Sequence, residues 1–261
     1  MIELARALQR QEFVLHYQPQ VDARTGGIVA VEALVRWLHP LRGLVAPAHF
    51  IPLAEETGLI VPLGAWVLRA ACRQARAWRA QGLPILRVAV NLSARQLGDE
   101  RLVEKVDAAL RDAGIEAPSL ELEITESLVA KDPEQAVRLL RELCARGVRL
   151  MVDDFGTGYS SLAHLKRFPL DGLKIDRAFV KNLPADRRDA SITRAVISMA
   201  HELGLCVVAE GVESAEQLAF LTAHGCDFLQ GYHLGAPMPA ERLPGALARH
   251  EARAASPAVV L

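Results

Sequence analysis

The stretch Met151-Val-Asp-Asp-Phe-Gly-Thr-Gly-Tyr-Ser160 joins an apolar run to two adjacent carboxylates and a turn broken by glycines. Like charges as close as those of Asp153 and Asp154 raise each other's pKa, and a divalent cation at a strand end commonly compensates them. The same pattern also fits two aspartates that cap the following helix and face water. Taken alone, the stretch favours neither interpretation. Other apolar runs of this chain end in polar or acidic residues in the same way, which favours the metal.

Length and composition predict one large globular domain. The chain has 261 residues, a formal net charge of -1, and 51% hydrophobic residues, which suits a sizeable core. The charge argues against binding to polymeric nucleic acid. A long apolar run and a signal-peptide pattern are both missing, so we expect a cytoplasmic domain, which is compatible with a membrane-attached parent protein. Four cysteines without a CxxC pair predict reduced thiols rather than a zinc site.

Short apolar runs alternate with longer helical patterns, which is typical of a mostly parallel sheet wrapped by helices. The eight runs are residues 13–18, 28–36, 87–91, 120–124, 149–153, 172–175, 206–209 and 227–230. No helical pattern separates the first two runs, so they should form an antiparallel hairpin. We therefore predict an α/β fold: a modified TIM-type (βα)8 barrel with an antiparallel N-terminal strand pair. The barrel should span residues 1–250, followed by a flexible C-terminal tail, residues 251–261.

Seven consecutive predicted strands, the second to the eighth, carry polar residues at or just after their ends. In such barrels these ends surround one mouth, where the chemistry takes place. Burying so many carboxylates without cations would cost several kcal/mol each. The pattern therefore predicts a site with more than one metal ion. The polar residues are Glu32, Arg36, Asn91, Glu123, Glu126, Asp153, Asp154, Lys174, Asp176, Glu210, Glu213 and Gln230, and Leu34 lies between Glu32 and Arg36 on the second strand.

The ligand chemistry indicates magnesium or manganese, because hard oxygen donors dominate and no His or Cys joins them. Arg36 and Lys174 add positive charge beside the carboxylates, as an anionic phosphate substrate requires. The eight histidines form no HExxH motif and no His-Asp dipeptide. A different enzyme class remains as an alternative: Lys174 could be the Schiff-base lysine of an aldolase. That chemistry needs a desolvated lysine, and the ring of carboxylates argues against it.

At these positions the sequence resembles the EAL-domain family of bacterial cyclic-di-GMP phosphodiesterases. The resemblance spans roughly residues 4–249, with the motifs in the family's order. It implies hydrolysis of cyclic di-GMP to linear pGpG with two bound Mg or Mn ions. Calcium should inhibit, because its longer and looser coordination would misplace the water at the metals. The matching motifs are Glu32-Ala-Leu-Val-Arg-Trp37, Asn91-Leu-Ser93, Glu121-Leu-Glu-Ile-Thr-Glu-Ser127, residues 153–158, Lys174-Ile-Asp176, Glu210-Gly-Val-Glu213 and Gln230-Gly-Tyr232.

The resemblance also assigns roles around the metal ions. Glu32, Asn91, Glu123 and Asp153 correspond to ligands of the first ion, and Asp153 would bridge to a second ion held partly by Asp154. Glu210 and Gln230 correspond to the shell around the metals and their water. Lys174 would lie beside the attacking water. The resemblance thus implies Lys174, Glu210, Glu32 and Asp153 as the catalytic set.

Further roles concern the substrate and a loop. The resemblance implies that Arg36 clamps the phosphate and that Gln18, Leu34, Asp176 and Gln230 also belong to the substrate site. Glu126 and Glu213 would anchor the loop that follows Asp154.

Other members of the family have lost catalytic residues and act as cyclic-di-GMP receptors or protein-interaction domains, which is the main alternative. Here no catalytic position is lost, which favours an enzyme. The resemblance is also compatible with a homodimer and with sensory or GGDEF domains in a longer parent protein.

Overall fold

The computed structural model describes residues 2–84, 86–125, 133–156 and 167–255. Within these ranges the chain forms ten strands that belong to one sheet. The strands are β1 (Phe13–Asp22), β2 (Ile28–His39), β3 (Gly43–Val45), β4 (Arg87–Leu92), β5 (Leu120–Thr125), β6 (Arg149–Phe155), β7 (Gly172–Ile175), β8 (Cys206–Ala209), β9 (Phe228–Gln230) and β10 (Met238–Pro239).

Eight of these strands close into the predicted barrel. From β2 through β4 and on to β9, each strand pairs in parallel with the next. β1 closes the ring, because it pairs antiparallel with β2 on one side and with β9 on the other. The predicted fold class and the antiparallel N-terminal pair are confirmed. The sequence pattern does not predict β3 and β10, which are only three and two residues long and lie at the sheet edges.

Helices follow most of the barrel strands, as the sequence pattern predicts. Their bounds are α1 (Ile2–Gln9), α2 (Ile51–Thr57), α3 (Ile60–Ala80), α4 (Ala94–Leu97), α5 (Leu102–Ala113), α6 (Pro133–Ala145), α7 (Arg177–Val180), α8 (Arg187–Glu202), α9 (Ala215–Ala223) and α10 (Leu243–Ala255). Residue 250, the predicted end of the domain, lies inside α10, and residues 256–261 are outside the described ranges. None of the described helices is long and apolar enough to span a membrane.

The strands separate an apolar layer from a polar interior, and β5 illustrates how. Successive side chains of a strand point to opposite faces. Leu120, Leu122 and Ile124 are fully buried in the apolar core, whereas Glu121 and Glu123, also buried, alternate with them. The alternation therefore delivers the acidic side chains to the barrel interior.

The two interior glutamates of β5 meet different partners. Glu121 Oε2 lies 3.5 Å from Arg87 Nε and 3.6 Å from Arg149 Nε, both on the first residues of their strands. Glu123 lies closer to the carboxyl ends of the strands, where the predicted site is. Glu121 is thus compensated at the base of the barrel, and the site at the mouth must balance its own charge.

Candidate functional site

A fully buried lysine lies at the centre of the site. Lys174, on β7, has none of its surface exposed. Its Nζ lies 2.6 Å from Glu210 Oε1, 2.9 Å from Glu123 Oε2, 3.5 Å from Asp153 Oδ1 and 3.6 Å from Glu32 Oε2. These four carboxylates come from β2, β5, β6 and the residue after β8, so the parallel strand ends assemble the group.

Glu32, Glu123, Asp153 and Glu210 form an acidic ring around Lys174, and this ring has an excess of negative charge. Burial alone would lower the pKa of Lys174, but Glu123, Glu210, Glu32 and Asp153 raise it well above its ordinary value. Burial and the charge of Glu32 raise the pKa of Glu123, although Lys174 opposes them. Burial raises the pKa of Glu210 to about 7, against the attraction of Lys174. One buried ammonium therefore faces more carboxylate charge than it can balance.

The raised pKa of Lys174 bears on the aldolase alternative. A Schiff-base lysine must be available as the neutral amine, which a lowered pKa provides. Here the surrounding carboxylates keep the ammonium charged. The environment of Lys174 is therefore unsuited to that chemistry.

Glu123 carries unsatisfied hydrogen-bonding capacity. Both of its carboxylate oxygens are buried, and neither accepts a well-directed hydrogen bond from a described residue. Lys174 Nζ is also buried and makes ion pairs without a well-directed hydrogen bond to a described residue. Buried carboxylates normally have their lone pairs filled, so such atoms indicate space for another cationic partner. The site therefore fits a hard divalent cation.

The adjacent carboxylates Asp153 and Asp154 reach the same region because the backbone departs from strand geometry. Asp154 has φ 56°, in the left-handed region. Its backbone N–H donates to Asp153 Oδ1 at 2.9 Å. Oxygens of Asp153, Asp154 and Glu210 all lie within 4.8 Å of one another. Regular strand alternation would separate neighbouring side chains, so this conformation brings both aspartates within reach of one ion.

Side-chain amides bind the carboxylate of Glu32 in the acidic ring. Asn91 Nδ2 donates to Glu32 Oε1 at 2.6 Å, and Gln230 Nε2 donates to Glu32 Oε2 at 2.5 Å. Gln230 Nε2 also donates to Gln18 Oε1 at 3.2 Å, and Gln20 Nε2 donates to Gln230 Oε1 at 3.0 Å. Burial would raise the pKa of Glu32, but Lys174 and these amides lower it. Glu32 is therefore held as a carboxylate.

The predicted substrate residues Leu34 and Arg36 lie on the same strand as Glu32, nearer the mouth. Arg36 is half-buried, its Nη1 donates to the carbonyl of Val35 at 2.9 Å, and burial lowers the pKa of its guanidinium. Leu34 and Asn91 border a cavity of about 290 Å³ whose lining is mostly apolar. A cation and an apolar cavity thus lie side by side next to the acidic ring.

The remaining predicted residues lie farther out. Asp176 caps α7, because its Oδ1 accepts from the backbone N–H of Ala178 at 2.8 Å. Glu213 is exposed and pairs with Arg177 at 2.7 Å. Glu126 and most of the loop after Asp154 lie outside the described residues, so loop anchoring by Glu126 and Glu213 stays a prediction.

The contacts link the predicted residues Gln18, Glu32, Asn91, Glu123, Asp153, Asp154, Lys174, Glu210 and Gln230 into one cluster. Sequence reasoning missed Gln20, which is 1% exposed and bonded to Gln230. The signal was present: Gln18 and Gln20 are two residues apart on one strand and therefore share a face.

The sequence also matches a known protein family. The model of the EAL domain matches residues 2–237, which is most of the chain. The chain belongs to the EAL domain family. The motif Glu32-Ala33-Leu34 places the residues of the family name on β2, where Glu32 enters the acidic ring.

Two named relatives are similar to this chain over almost all of its length. The chain is 50% identical to the bifunctional diguanylate cyclase/cyclic di-GMP phosphodiesterase MucR of Pseudomonas aeruginosa, across 94% of this chain and 36% of MucR. It is 48% identical to the cyclic di-GMP phosphodiesterase NbdA of the same species, across 98% of this chain and 33% of NbdA. The chain thus spans about a third of the length of these relatives.

The fold of this EAL domain matches that of a solved relative. The PaMucR phosphodiesterase in complex with c-di-GMP has 50% sequence identity and a TM-score of 0.89, and the match covers 93% of this chain and 98% of that one.

Proposed function

We propose that this EAL domain hydrolyses cyclic di-GMP to linear pGpG, using two Mg or Mn ions held by the acidic ring. MucR and NbdA, to which it is 50% and 48% identical, bear the names of cyclic di-GMP phosphodiesterases. The observation that carries the proposal is Glu123, a buried carboxylate whose two oxygens accept no well-directed hydrogen bond from the described residues, while its ion-pair partner Lys174 is shared with three other carboxylates.

The donor set suits the proposed ions. Glu32, Asn91, Glu123 and Asp153 would hold the first ion, and Asp153 with Asp154 would hold the second. When bound, such paired ions lower the pKa of water and stabilise charge on the attacking and leaving oxygens. Every proposed donor atom is an oxygen, which favours Mg or Mn over zinc.

The proposed substrate is a cyclic dinucleotide with two phosphodiester groups. The positive charge of Arg36 beside the acidic ring suits these anionic groups. Arg36 would form hydrogen bonds to a phosphate oxygen, and Leu34 with Gln18 would contact the nucleotide. The apolar cavity of about 290 Å³ beside Leu34 could receive part of the nucleotide, since flat aromatic bases favour apolar surroundings. Asp176 and Gln230 complete the proposed substrate site.

The proposed reaction is an in-line displacement at phosphorus. The oxygen of water forms a bond to phosphorus as the water gives up a proton, the bond from phosphorus to the ribose 3′ oxygen breaks, and that oxygen takes up a proton. Lys174 Nζ would donate a hydrogen bond to the attacking water and fix its direction. Glu210 and Gln230 would belong to the shell that holds the same water. The product is a linear dinucleotide with a 5′ phosphate.

Metal-dependent turnover tests the proposal. Protein stripped of metal with a chelator receives Mg, Mn or Ca in turn, and chromatography follows cyclic di-GMP and pGpG. We expect pGpG with Mg and with Mn. We expect inhibition by Ca, whose longer and more variable coordination would misplace the attacking water. If loaded protein bound the nucleotide and left it intact for hours, a receptor function would replace this proposal.

We also propose that the domain acts within a longer signalling protein, because it spans about a third of MucR and NbdA. A cytoplasmic location and a homodimer are parts of this proposal. Light scattering across a concentration series tests for the dimer.

A further inference from the structure

We propose that Gln20 is a positioning residue, which fixes the amide of Gln230 and through it the carboxylate of Glu32. The inference rests on the proposed metal site. Gln20 itself is 1% exposed, and its amide nitrogen is bonded to Gln230. Its role would be to set the orientation of a group that does contact the site.

The strand pairing places these residues in register. Gln18 lies opposite Glu32 in the pairing of β1 with β2, and Gln20 lies opposite Gln230 in the pairing of β1 with β9. Because side chains two residues apart share a face, Gln18 and Gln20 both enter the barrel interior. β1 thus connects β9 to β2 through side chains as well as through its backbone.

The hydrogen bonds give the amides one direction. Gln20 Nε2 donates to Gln230 Oε1 at 3.0 Å, so the oxygen of Gln230 faces Gln20. Gln230 Nε2 consequently faces Glu32 Oε2 at 2.5 Å and Gln18 Oε1 at 3.2 Å. A reversed amide would place the oxygen of Gln230 against the carboxylate of Glu32. Gln20 supplies the donor that disfavours this reversal.

The consequence for the site concerns the orientation of a metal ligand. Glu32 is held by two amide donors, Asn91 on Oε1 and Gln230 on Oε2, while Lys174 lies 3.6 Å away. Partners outside the ligand shell commonly orient metal ligands, and losing one typically weakens metal affinity by about 10- to 100-fold. We expect Gln20 to act on Glu32 in this indirect way, through Gln230.

The test is a titration of metal-free protein with Mn, in which the electron paramagnetic resonance signal measures the concentration of free Mn. Gln20→Met keeps the length of the side chain and removes the amide donor. We expect it to raise the dissociation constant for Mn about tenfold and to lower turnover at low Mn, with partial recovery at high Mn. Gln20→Leu, a second apolar replacement, should give the same change if the methionine variant folds poorly.

A double-mutant comparison separates positioning from packing. In a Gln230→Leu background, Gln20→Met should change the Mn dissociation constant less than twofold, because its target is already absent. Equal losses in both backgrounds would overturn the inference, as would unchanged Mn affinity in the Gln20 variants.

Trp78→Phe is the control, since it removes a buried donor to the carbonyl of Ala240 outside the barrel interior. It should lower the melting temperature without changing Mn affinity. Failure of the unmodified protein to bind Mn would instead contradict the proposed function.

Discussion

Lys174 Nζ lies 2.6 Å from Glu210 Oε1, and both groups come from neighbouring parallel strands, β7 and the end of β8. The lysine is completely buried, and three further carboxylates lie within 3.6 Å of it. It therefore compensates charge as well as offering a hydrogen-bond donor. A metal ion and Lys174 would share the same carboxylates.

Because Lys174 and the metal would share these carboxylates, we expect Mn to restore the stability of Lys174→Met but not its activity. Removing the cation leaves buried carboxylates uncompensated, which typically costs about 3–5 kcal/mol when a buried ion pair is broken. We expect a lower melting temperature for the metal-free variant, recovery of that temperature with Mn, and turnover that stays impaired at every Mn concentration. Circular-dichroism melts and rates across one Mn series measure both.

The matched control is Lys105→Met, a change on α5 that breaks the pair of Lys105 with Asp99, away from the acidic ring. Its turnover should be normal. Recovery of turnover in Lys174→Met at high Mn would show that the lysine serves charge compensation alone.

Glu32→Ala should abolish most turnover, because it removes a proposed metal ligand that Asn91 and Gln230 orient. We expect a loss of at least about a hundredfold, or roughly 3 kcal/mol of transition-state stabilisation. Rates at saturating Mg measure it. Glu104→Ala removes an exposed carboxylate paired with Arg101 and should leave the rate unchanged. Near-normal turnover in Glu32→Ala would show that Glu32 is not a ligand.

Arg36→Met should weaken nucleotide binding and leave folding intact. A charge-assisted hydrogen bond contributes about 1.5–3 kcal/mol, so we expect affinity to fall about tenfold or more. Calorimetric titration of cyclic di-GMP with Ca in place of Mg measures binding without turnover. Arg24→Met makes the same change of charge in the exposed turn between β1 and β2 and should bind normally. Equal affinities of the two variants would remove Arg36 from the substrate site.

Gly156→Ala tests the turn after the adjacent aspartates. Gly156 has φ 97°, and an added Cβ would lie 2.9 Å from Phe179 Cε2. Strain of this kind costs about 1–3 kcal/mol, and its release would shift Asp154. We expect weaker Mn binding and slower turnover that excess Mn partly restores. Gly114 has φ 65°, but no atom of the described residues lies within 4 Å of an added Cβ, so Gly114→Ala should lower stability and keep the Mn affinity. Identical Mn affinities in both variants would contradict a link from this turn to the metal site.

Much of this arrangement follows from the sequence, because periodicity is local. The alternation of Leu120, Glu121, Leu122 and Glu123 shows which side chains enter the barrel, and parallel strand ends must meet at one mouth. The pairing of specific side chains across strands is not local. The shared face of Gln18 and Gln20 is a local signal, but the contact of Gln20 with Gln230 could not be predicted, since it joins residues 210 positions apart.

The backbone of Asp154 was the other feature that the pattern could not predict. Strand alternation places neighbouring side chains on opposite faces, so Asp153 and Asp154 appeared able to serve either a cap or a metal. The left-handed conformation at Asp154 favours the metal, because it brings oxygens of both carboxylates close to Glu210. The short strands β3 and β10 were missed because two or three residues carry no periodicity.

The central claim is that water attacks cyclic di-GMP at this acidic ring, and reaction in water enriched in oxygen-18 tests it most directly. Mass spectrometry of the product from Mn-loaded protein should show linear pGpG with one heavy oxygen on its 5′ phosphate, and Glu32→Ala should form almost none. Intact cyclic di-GMP after hours with bound, metal-loaded protein, or pGpG without the heavy oxygen, would contradict the account.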